Sequence, residues 1–276
     1  MTMNDNYRAF FGFTKEPFTN ALRLDEILKT EELIGVKNRF DYALRIGGIA
    51  VVTGEIGAGK STALRYASEQ LHPSAHKSFY VTATTGSPLE LYRQVGAEMG
   101  IAQSSNSKAL MIRLIKNEVQ ELVCGKKVNV VLAIDEASLL RLEVFVELHT
   151  IAQFDKDSKP YLPIVLAGQA NLIDKLSYRT SAPLASRVIA KSHLQGLGRE
   201  TMQQYLRHHL KVAGVSTNLF DDTAVSAIHQ GSGGLLRKAN HLARGALIAA
   251  AKLNTTSVSA EHVRLASTEL LDVNRR

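Results

Sequence analysis

A phosphate-binding loop is the strongest chemical signal in the sequence. The motif Gly54-Glu55-Ile56-Gly57-Ala58-Gly59-Lys60-Ser61 lies between the apolar run Ile49–Val52 and the helix-compatible segment Thr62–Gln70. A strand that ends in such a loop directs backbone N–H groups at anionic phosphates. We expect Lys60 to reach the outer phosphates and the Ser61 hydroxyl to complete a Mg²⁺ shell. Thr62, the next residue, is also expected to contact the nucleotide. An ordinary glycine-rich turn is the alternative, but every fixed position of the motif is filled and both flanks fit.

Two adjacent carboxylates, Asp135 and Glu136, follow the most apolar run of the chain, Val128–Ile134. Continuous hydrophobicity predicts a strand buried on both faces, as in the middle of a parallel sheet. The pair is then expected at the carboxyl edge of the sheet, with Asp135 holding Mg²⁺ and Glu136 polarising the attacking water. Taken alone, an Asp-Glu pair after a strand favours a helix N-cap, but the P-loop upstream favours the catalytic interpretation.

A polar residue also follows the predicted strand Ile164–Ala167. If this strand lies beside that of Asp135, Gln169 points at the γ-phosphate and orders water there; in isolation it would be a polar turn residue. Val188–Leu194 predicts a fifth strand by its alternation. The fold class is therefore α/β, with about five parallel strands and helices on both faces.

Beyond Gly196 the strand signals end and helical patterns follow, starting with Arg199–Val212. We therefore expect two domains, an α/β domain at residues 1–195 and a small all-helical lid at residues 196–276. The aromatic segment Tyr7–Phe18 is expected to pack on the main domain. It serves there either as a core cap or, with Ile34, as a wall of an adenine pocket.

Composition limits the classes of function. Lys and Arg number 33 against 26 Asp and Glu, a net charge of +7, which suits either a polyanionic partner or a solvated basic surface. The single cysteine, Cys124, excludes an intrachain disulfide and a cysteine-based zinc site, and the nine histidines show no metal-ligand spacing. No signal-peptide pattern opens the sequence, and the longest apolar stretch, Ala246–Leu253, is too short to cross a membrane. We expect a cytoplasmic protein.

Together these motifs resemble those of AAA+ ATPases, and more closely the ExeA/GspA-type ATPases. The resemblance rests first on the P-loop and on the carboxylate pair Asp135-Glu136. It rests further on three short motifs: Phe11-Gly12-Phe13 with Pro17-Phe18, Gly168-Gln169, and Gly233-Gly234-Leu235-Leu236-Arg237. It implies the P-loop AAA+ fold with ATP and Mg²⁺ as cofactors. Secretion members of that family continue into a membrane helix and a cell-wall-binding domain, whereas this sequence ends at Arg276. A short form of this kind resembles transposition regulators of the TnsC, Mu B, TniB and IstB type.

The resemblance also implies a homo-oligomer with ATP bound between neighbouring subunits. Arg187, in Leu184-Ala185-Ser186-Arg187-Val188, matches the arginine finger that reaches the neighbour's γ-phosphate, with Arg179 as the competing candidate. Arg237 matches the sensor-2 arginine, unless it only opens a helix. Gln169 departs from the Asn or Thr that is common at sensor 1.

By this resemblance the protein is expected to form a ring or filament on duplex DNA and to regulate transposition through a transposase or integrase. Its ATP hydrolysis is expected to be slow and to depend on assembly. The expected DNA contacts, by analogy of position, are Thr85, Ser87, Ser107 and Lys108, with Arg113 as an outside candidate. Such contacts would be largely independent of sequence. The alternatives are an ATPase of a secretion or envelope apparatus and, less favoured, a small-molecule phosphotransferase.

Overall fold

The computed structural model describes residues 5–102 and 105–268, which form two compact units. The sheet unit contains Glu31–Glu55 and Lys60–Leu194. The helical unit contains the described residues up to Thr30, the short stretch Ile56–Gly59, and those from Gln195 onward. The polar run 103–107 of the sequence predicts a break before a helix, and its first two residues, Gln103 and Ser104, lie outside the described residues.

Five parallel strands form the sheet, as predicted. They are β1 (Ile49–Gly54), β2 (His76–Thr82), β3 (Asn129–Asp135), β4 (Ile164–Gly168) and β5 (Val188–Leu194). Their order is β2-β3-β4-β1-β5. The central strands β1, β3 and β4 are buried along almost their whole length, which agrees with their continuous apolar sequences.

Twelve α-helices accompany the sheet in the part of the chain that the structure describes. They are α1 (Asp5–Phe11), α2 (Glu31–Ile46), α3 (Lys60–Glu69), α4 (Pro88–Glu98), α5 (Lys108–Gln120), α6 (Leu142–Glu147), α7 (Asn171–Ser177), α8 (Ala182–Ala185), α9 (Arg199–Val212), α10 (Asp222–Ser232), α11 (Leu236–Lys252) and α12 (Ala260–Thr268). Helices α4, α5 and α6 contribute Tyr92, Ile115 and Phe145 to the core of the sheet unit, and all three side chains are fully buried.

Strand β2 is longer than predicted. The sequence pattern of Phe79–Thr82 predicts a short strand there, but β2 begins at His76. The prediction missed its polar start because β2 is an edge strand, in which only Phe79 and Val81 are buried in the core. An edge strand tolerates polar residues at the other positions, so its apolar pattern is shorter than its hydrogen-bonded length.

The carboxyl ends of the three central strands meet at one edge of the sheet. In the parallel register, Thr53 of β1 lies opposite Gly168 of β4, and Ile134 of β3 lies opposite Leu166 of β4. The P-loop, the two carboxylates and Gln169 follow these three strands directly. The topology therefore brings the three predicted motifs to one edge, which is where open α/β sheets bind ligands.

The helical unit has its own core, formed by α9, α10, α11 and α12. Of the two aspartates that could cap α10, Asp221 is the N-cap, and its carboxylate accepts a hydrogen bond from the N–H of Ala224 at 2.8 Å. That bond satisfies one of the amide groups that have no acceptor inside the helix.

The aromatic N-terminal segment belongs to the helical unit, contrary to our expectation that it packs on the main domain. Tyr7, Phe13 and Phe18 are buried in the helical core. The ring of Phe18 stacks on His209 of α9 with their centroids 5.2 Å apart. These contacts do not involve Ile34, the residue expected beside the segment in an adenine pocket.

Hydrogen bonds fix the same segment to the helices. Thr14 donates to the carbonyl of Ala213 from both its N–H, at 2.9 Å, and its hydroxyl, at 3.1 Å. Arg244 of α11 donates to the carbonyl of Phe18 at 2.6 Å. Hydrophobicity indicates that an aromatic segment is buried, but it does not indicate against which core, and this is why the prediction was wrong.

Candidate nucleotide-binding site

The P-loop has the backbone shape that phosphate binding requires. Gly57 and Gly59 have φ angles of +86° and +97°, which residues with a side chain rarely adopt. A Cβ on Gly57 would also lie 2.9 Å from the Cβ of Arg237. Helix α3 starts at Lys60, and the first amides of a helix have no acceptor within it. The loop and the helix start can therefore present N–H groups to an anion.

Lys60 is held inside the loop that it is predicted to serve. The residue is only 6% exposed, and its Nζ donates to the carbonyl oxygens of Gly54 at 3.0 Å and Glu55 at 2.9 Å. Hydrogen bonds between an ammonium and a charged acceptor are stronger than those to a neutral carbonyl. A phosphate in the loop would therefore compete well for this ammonium without requiring a large movement.

Asp135 and Ser61 share a hydrogen-bonding partner, the phenol of Tyr80. Its hydroxyl donates to Asp135 Oδ2 at 2.5 Å, and the Ser61 side chain hydrogen-bonds the same phenol. Burial, and then the hydrogen bond to Asp135, raise the pKa of Tyr80 above its usual range, so the phenol stays protonated and can donate. The two predicted Mg²⁺ ligands, a hydroxyl and a carboxylate, are thus brought together.

This donor set fits Mg²⁺. Hard oxygen ligands suit the ion, which proteins commonly hold with one or two carboxylates together with phosphate oxygens of the substrate. Within the described residues, no group of three or more His, Cys, Asp or Glu side chains could hold a metal. A site that relies on Ser61, Asp135 and a bound triphosphate does not need such a group.

Glu136 has an unusual backbone conformation. Its φ and ψ are 52° and 30°, in the left-handed region that non-glycine residues seldom occupy, and its N–H donates to Asp135 Oδ1 at 2.8 Å. It precedes a short 3-10 turn, Ala137–Leu139, and its side chain makes no capping hydrogen bond. The helix N-cap alternative therefore does not describe this residue. Strained conformations of this kind cluster at functional sites.

Gln169 follows β4, between the strand of the P-loop and the strand of Glu136. It is half-buried. The preceding residue must be glycine, because a Cβ on Gly168 would lie 2.8 Å from the backbone nitrogen of Ser138. The end of β4 and the turn after Glu136 are therefore in close contact, and Gln169 lies at the same sheet edge as the two carboxylates.

Arg187 lies at the other end of the sheet. Its carbonyl accepts a hydrogen bond at 2.9 Å from the N–H of Ile49, which is the first residue of β1. The P-loop lies at the opposite end of the same strand. The length of β1 separates the two ends by about 17 Å, at roughly 3.3 Å per residue. The Arg187 side chain pairs with Asp157 and donates to the carbonyl of Pro183. Within one chain it is thus remote from the phosphate-binding loop.

Arg179, the competing finger candidate, lies in a short 3-10 turn, Arg179–Ser181. It is exposed, and no ion-pair partner for it is present among the described residues. Arg237 is near the start of α11, where its backbone N–H donates to the carbonyl of Gly57 at 3.2 Å. Its side chain is exposed. The backbone of Arg237 therefore contacts Gly57 within the helical unit, and its role as a sensor-2 arginine stays a prediction.

The residues predicted to contact DNA have structural partners. Ser87 and Ser107 are the N-caps of α4 and α5, and their hydroxyls accept from Glu90 N–H and Leu110 N–H, each at 3.4 Å. The ammonium of Lys108 lies 2.6 Å from Glu147 Oε2. The hydroxyls of the two serines therefore have a structural role as helix caps that involves no ligand.

Thr85 and Lys108 both contact the segment that contains α6. The carbonyl of Thr85 accepts from Arg141 Nε at 2.7 Å, while Lys108 pairs with Glu147. Arg141 precedes the short helix α6, and Glu147 is its last residue. Thr85 and the outside candidate Arg113 are exposed.

Tyr80 is the site residue that the sequence analysis missed. An aromatic residue in a strand is normally core, and Tyr80 gave no other signal. Its place in β2, two residues before the strand's carboxyl end at Thr82, could have indicated it, because β2 neighbours β3.

In the region that the structure describes, no helix combines the length and the apolar character needed to span a bilayer.

A family profile and a curated relative match this chain. The profile, described as an AAA domain, matches residues 45–176. General secretion pathway protein A of Aeromonas hydrophila is 29% identical over 266 residues, which cover 96% of this chain and 48% of that protein. The chain therefore spans about half the length of this relative.

Solved structures show the same fold. Cdc6p from Pyrobaculum aerophilum superposes with a TM-score of 0.74 at 16% identity, covering 92% of this chain and 70% of that one. The Aeropyrum pernix ORC1 protein, solved in complex with DNA, gives 0.67 at 18% identity, covering 89% and 66%. The matched AAA domain profile, the P-loop and the five-stranded parallel sheet make the chain similar to AAA+ ATPases in fold and in its candidate site.

Proposed function

We propose that this protein is an ATP-dependent, DNA-binding ATPase that oligomerises on duplex DNA and regulates transposition by recruiting or activating a transposase. The observation that carries the nucleotide part is the convergence at one sheet edge of Lys60, the Ser61–Tyr80–Asp135 contacts and Glu136. Bound ATP·Mg²⁺ would supply the transferable phosphoryl group and the charge that polarises it.

Each residue at the edge has a distinct role in this proposal. Lys60 exchanges its carbonyl partners for phosphate oxygens, and Ser61 and Asp135 hold Mg²⁺. Glu136 accepts a hydrogen bond from the attacking water and thereby orients it, and it takes up the proton as the water attacks. Gln169 orders the same water from the neighbouring strand.

The place of Arg187 supports an oligomer. Because this arginine lies at the opposite end of the sheet from the P-loop of its own chain, a role at a γ-phosphate requires a second copy. It would leave Asp157 for the more highly charged phosphate, and half-exposed ion pairs of this kind cost little to exchange. Arg179, which is exposed, remains the alternative finger.

The DNA part of the proposal is supported by the net charge of +7 and by the contacts of Thr85 and Lys108 with the same segment, that of α6. Contacts from such loops reach phosphates rather than base edges. Binding is therefore expected to be largely independent of sequence and to weaken steeply as salt increases.

The test is assembly on DNA. The protein is mixed with duplex DNA and a non-hydrolysable ATP analogue at low salt, and its size is followed by sedimentation and electron microscopy. We expect filaments or rings with the wild-type protein and with Arg179→Ala, but only small species with Arg187→Ala. If Arg179→Ala alone abolishes assembly, Arg179 is the finger. A wild-type protein that stays monomeric contradicts the proposal.

A second candidate function is an ATPase that acts on protein partners in a secretion or envelope apparatus. The observation that favours it is the 29% identity to general secretion pathway protein A. The two functions separate in the same experiment: nucleotide-dependent assembly without any affinity for DNA at low salt, where the phosphate contribution is largest, favours the secretion role.

A further inference from the structure

We infer that a groove on the helical unit is a second contact site for the phosphate backbone of duplex DNA. The groove, of about 640 Å³, is lined by the outer face of α9, by the loop 216–218, and by Leu28 from the N-terminal segment. Its polar lining from α9 consists of Gln204, Arg207, His208 and Lys211. This inference rests on the proposed DNA-binding function and adds a place and a set of residues to it.

The charge of the groove is entirely of one sign. Arg207 and Lys211 are exposed and four residues apart, so they project from the same face of the helix. Among the described residues neither has a hydrogen-bond or ion-pair partner, and no carboxylate lines the groove. Some other cations of this unit are paired, as Arg199 is with Asp222. The groove therefore concentrates positive charge that no described residue of the unit pairs with.

The walls of the groove are ordered by contacts of their own. His208 hydrogen-bonds the backbone carbonyl of Glu26 through Nε2 at 2.6 Å, which places the proton on that nitrogen. The opposite wall consists of Ser216, Thr217 and Asn218, all exposed. Hydroxyl and amide side chains beside Arg and Lys are the residue types that hydrogen-bond phosphate oxygens in protein–DNA interfaces.

Helix stabilisation alone does not explain this arrangement. Lys211 lies in the last turn of α9, where a cation interacts favourably with the helix dipole. That effect is confined to the last turn, whereas Arg207 lies one turn earlier. The pair together makes a stripe along the helix, which suits an extended anion.

The exposure of the charges favours a polymer over a small anion. Isolated exposed cations are screened by salt within about 10 Å at ordinary ionic strength, so they hold a single free phosphate weakly. A duplex presents phosphates repeatedly and releases condensed counterions when they are neutralised, which makes exposed Arg and Lys effective. We therefore assign the groove to DNA backbone.

The experiment measures binding of a fluorescent duplex to the full-length protein, with the ATP analogue present, over a range of salt concentrations. The double variant Arg207→Ala/Lys211→Ala is expected to bind about tenfold or more weakly at ~100 mM salt, and its log–log salt slope to fall in magnitude by about 2. The charge-conserving exchange Arg207→Lys/Lys211→Arg should bind like wild type, because phosphate contacts depend on charge more than on shape.

A matched control removes two exposed lysines that do not line the groove, Lys126→Ala/Lys252→Ala, and should keep most of the affinity. Thermal unfolding confirms that each variant is folded. If wild type and control bind DNA and the groove variant matches the control, the groove assignment is overturned while the proposed function stands. Absence of DNA binding by wild type overturns both. If inorganic phosphate at equal ionic strength displaces the duplex, the groove is a small-anion site and the assignment also fails.

Discussion

The carboxyl edge of the sheet and the exposed face beside α6 hold their polar side chains in different ways. At the edge, Lys60 and Asp135 are 6% and 3% exposed, and both are hydrogen-bonded within the site. On the α6 face, Lys108 is half-exposed and already paired with Glu147, and Thr85 is exposed. Buried polar groups are committed to one geometry, whereas exposed ion pairs exchange at little cost. Substitutions at the edge should therefore have large effects, and those on the face small ones.

The largest effect is expected at Glu136. Glu136→Gln keeps the size of the side chain but removes the base, so ATP hydrolysis should fall by about 10²–10⁴-fold while ATP binding persists. The assembly on DNA should also last longer, because its nucleotide is consumed more slowly. Steady-state phosphate release and nucleotide binding measure the two quantities.

Glu69→Gln is the matched control, because Glu69 is exposed at the end of α3. It should leave hydrolysis unchanged. Wild-type turnover in Glu136→Gln would remove Glu136 from the mechanism and would break the contrast between the edge and the exposed face.

An intermediate effect is expected at Tyr80. Tyr80→Phe removes the hydroxyl that bonds Asp135 and Ser61, so the two Mg²⁺ ligands lose their common support. Loss of an outer-shell partner typically lowers metal affinity by 10–100-fold, and we expect about tenfold here. The readout is binding of a fluorescent ATP analogue titrated with Mg²⁺.

Nucleotide binding without Mg²⁺ should be unaffected in Tyr80→Phe, which separates loss of positioning from general damage. Tyr178→Phe, at an exposed site, serves as control. If both variants need the same Mg²⁺ concentration as wild type, the phenol does not position the metal ligands.

The smallest effect is expected on the α6 face. Thr85→Ala and Lys108→Ala should each weaken DNA binding by about two- to threefold and leave ATP binding intact, because the contacts are exposed and screened. Glu147→Gln sharpens the comparison, since it releases Lys108 and should strengthen DNA binding by a similar factor. Unchanged DNA affinity in all three variants would exclude this face as a DNA contact.

The sequence predicted the sheet edge well because its chemistry is local. The P-loop is one continuous motif, and the strands before Gly54 and Asp135 are continuous apolar runs, so the positions of these groups follow from parallel topology. Asp221 as a helix cap could be predicted for a similar reason, since capping depends on neighbours a few residues away.

Contacts between distant segments could not be predicted in this way. Tyr80 enters the site because β2 lies beside β3, and its sequence pattern resembles that of any core aromatic residue. Phe18 was expected in the wrong core, because apolar area drives burial without selecting a partner. The pairing of Lys108 with Glu147 depends on the placement of two separate helices.

The long-range bonds of the N-terminal segment set an order of events during synthesis. Thr14 and Phe18 find their hydrogen-bond partners 199 and 226 residues later in the chain. The whole sheet unit, through Leu194, is translated before those partners exist. The phenylalanines are therefore synthesised well before the helices that bury them, so their apolar surface stays uncovered while the sheet unit is translated.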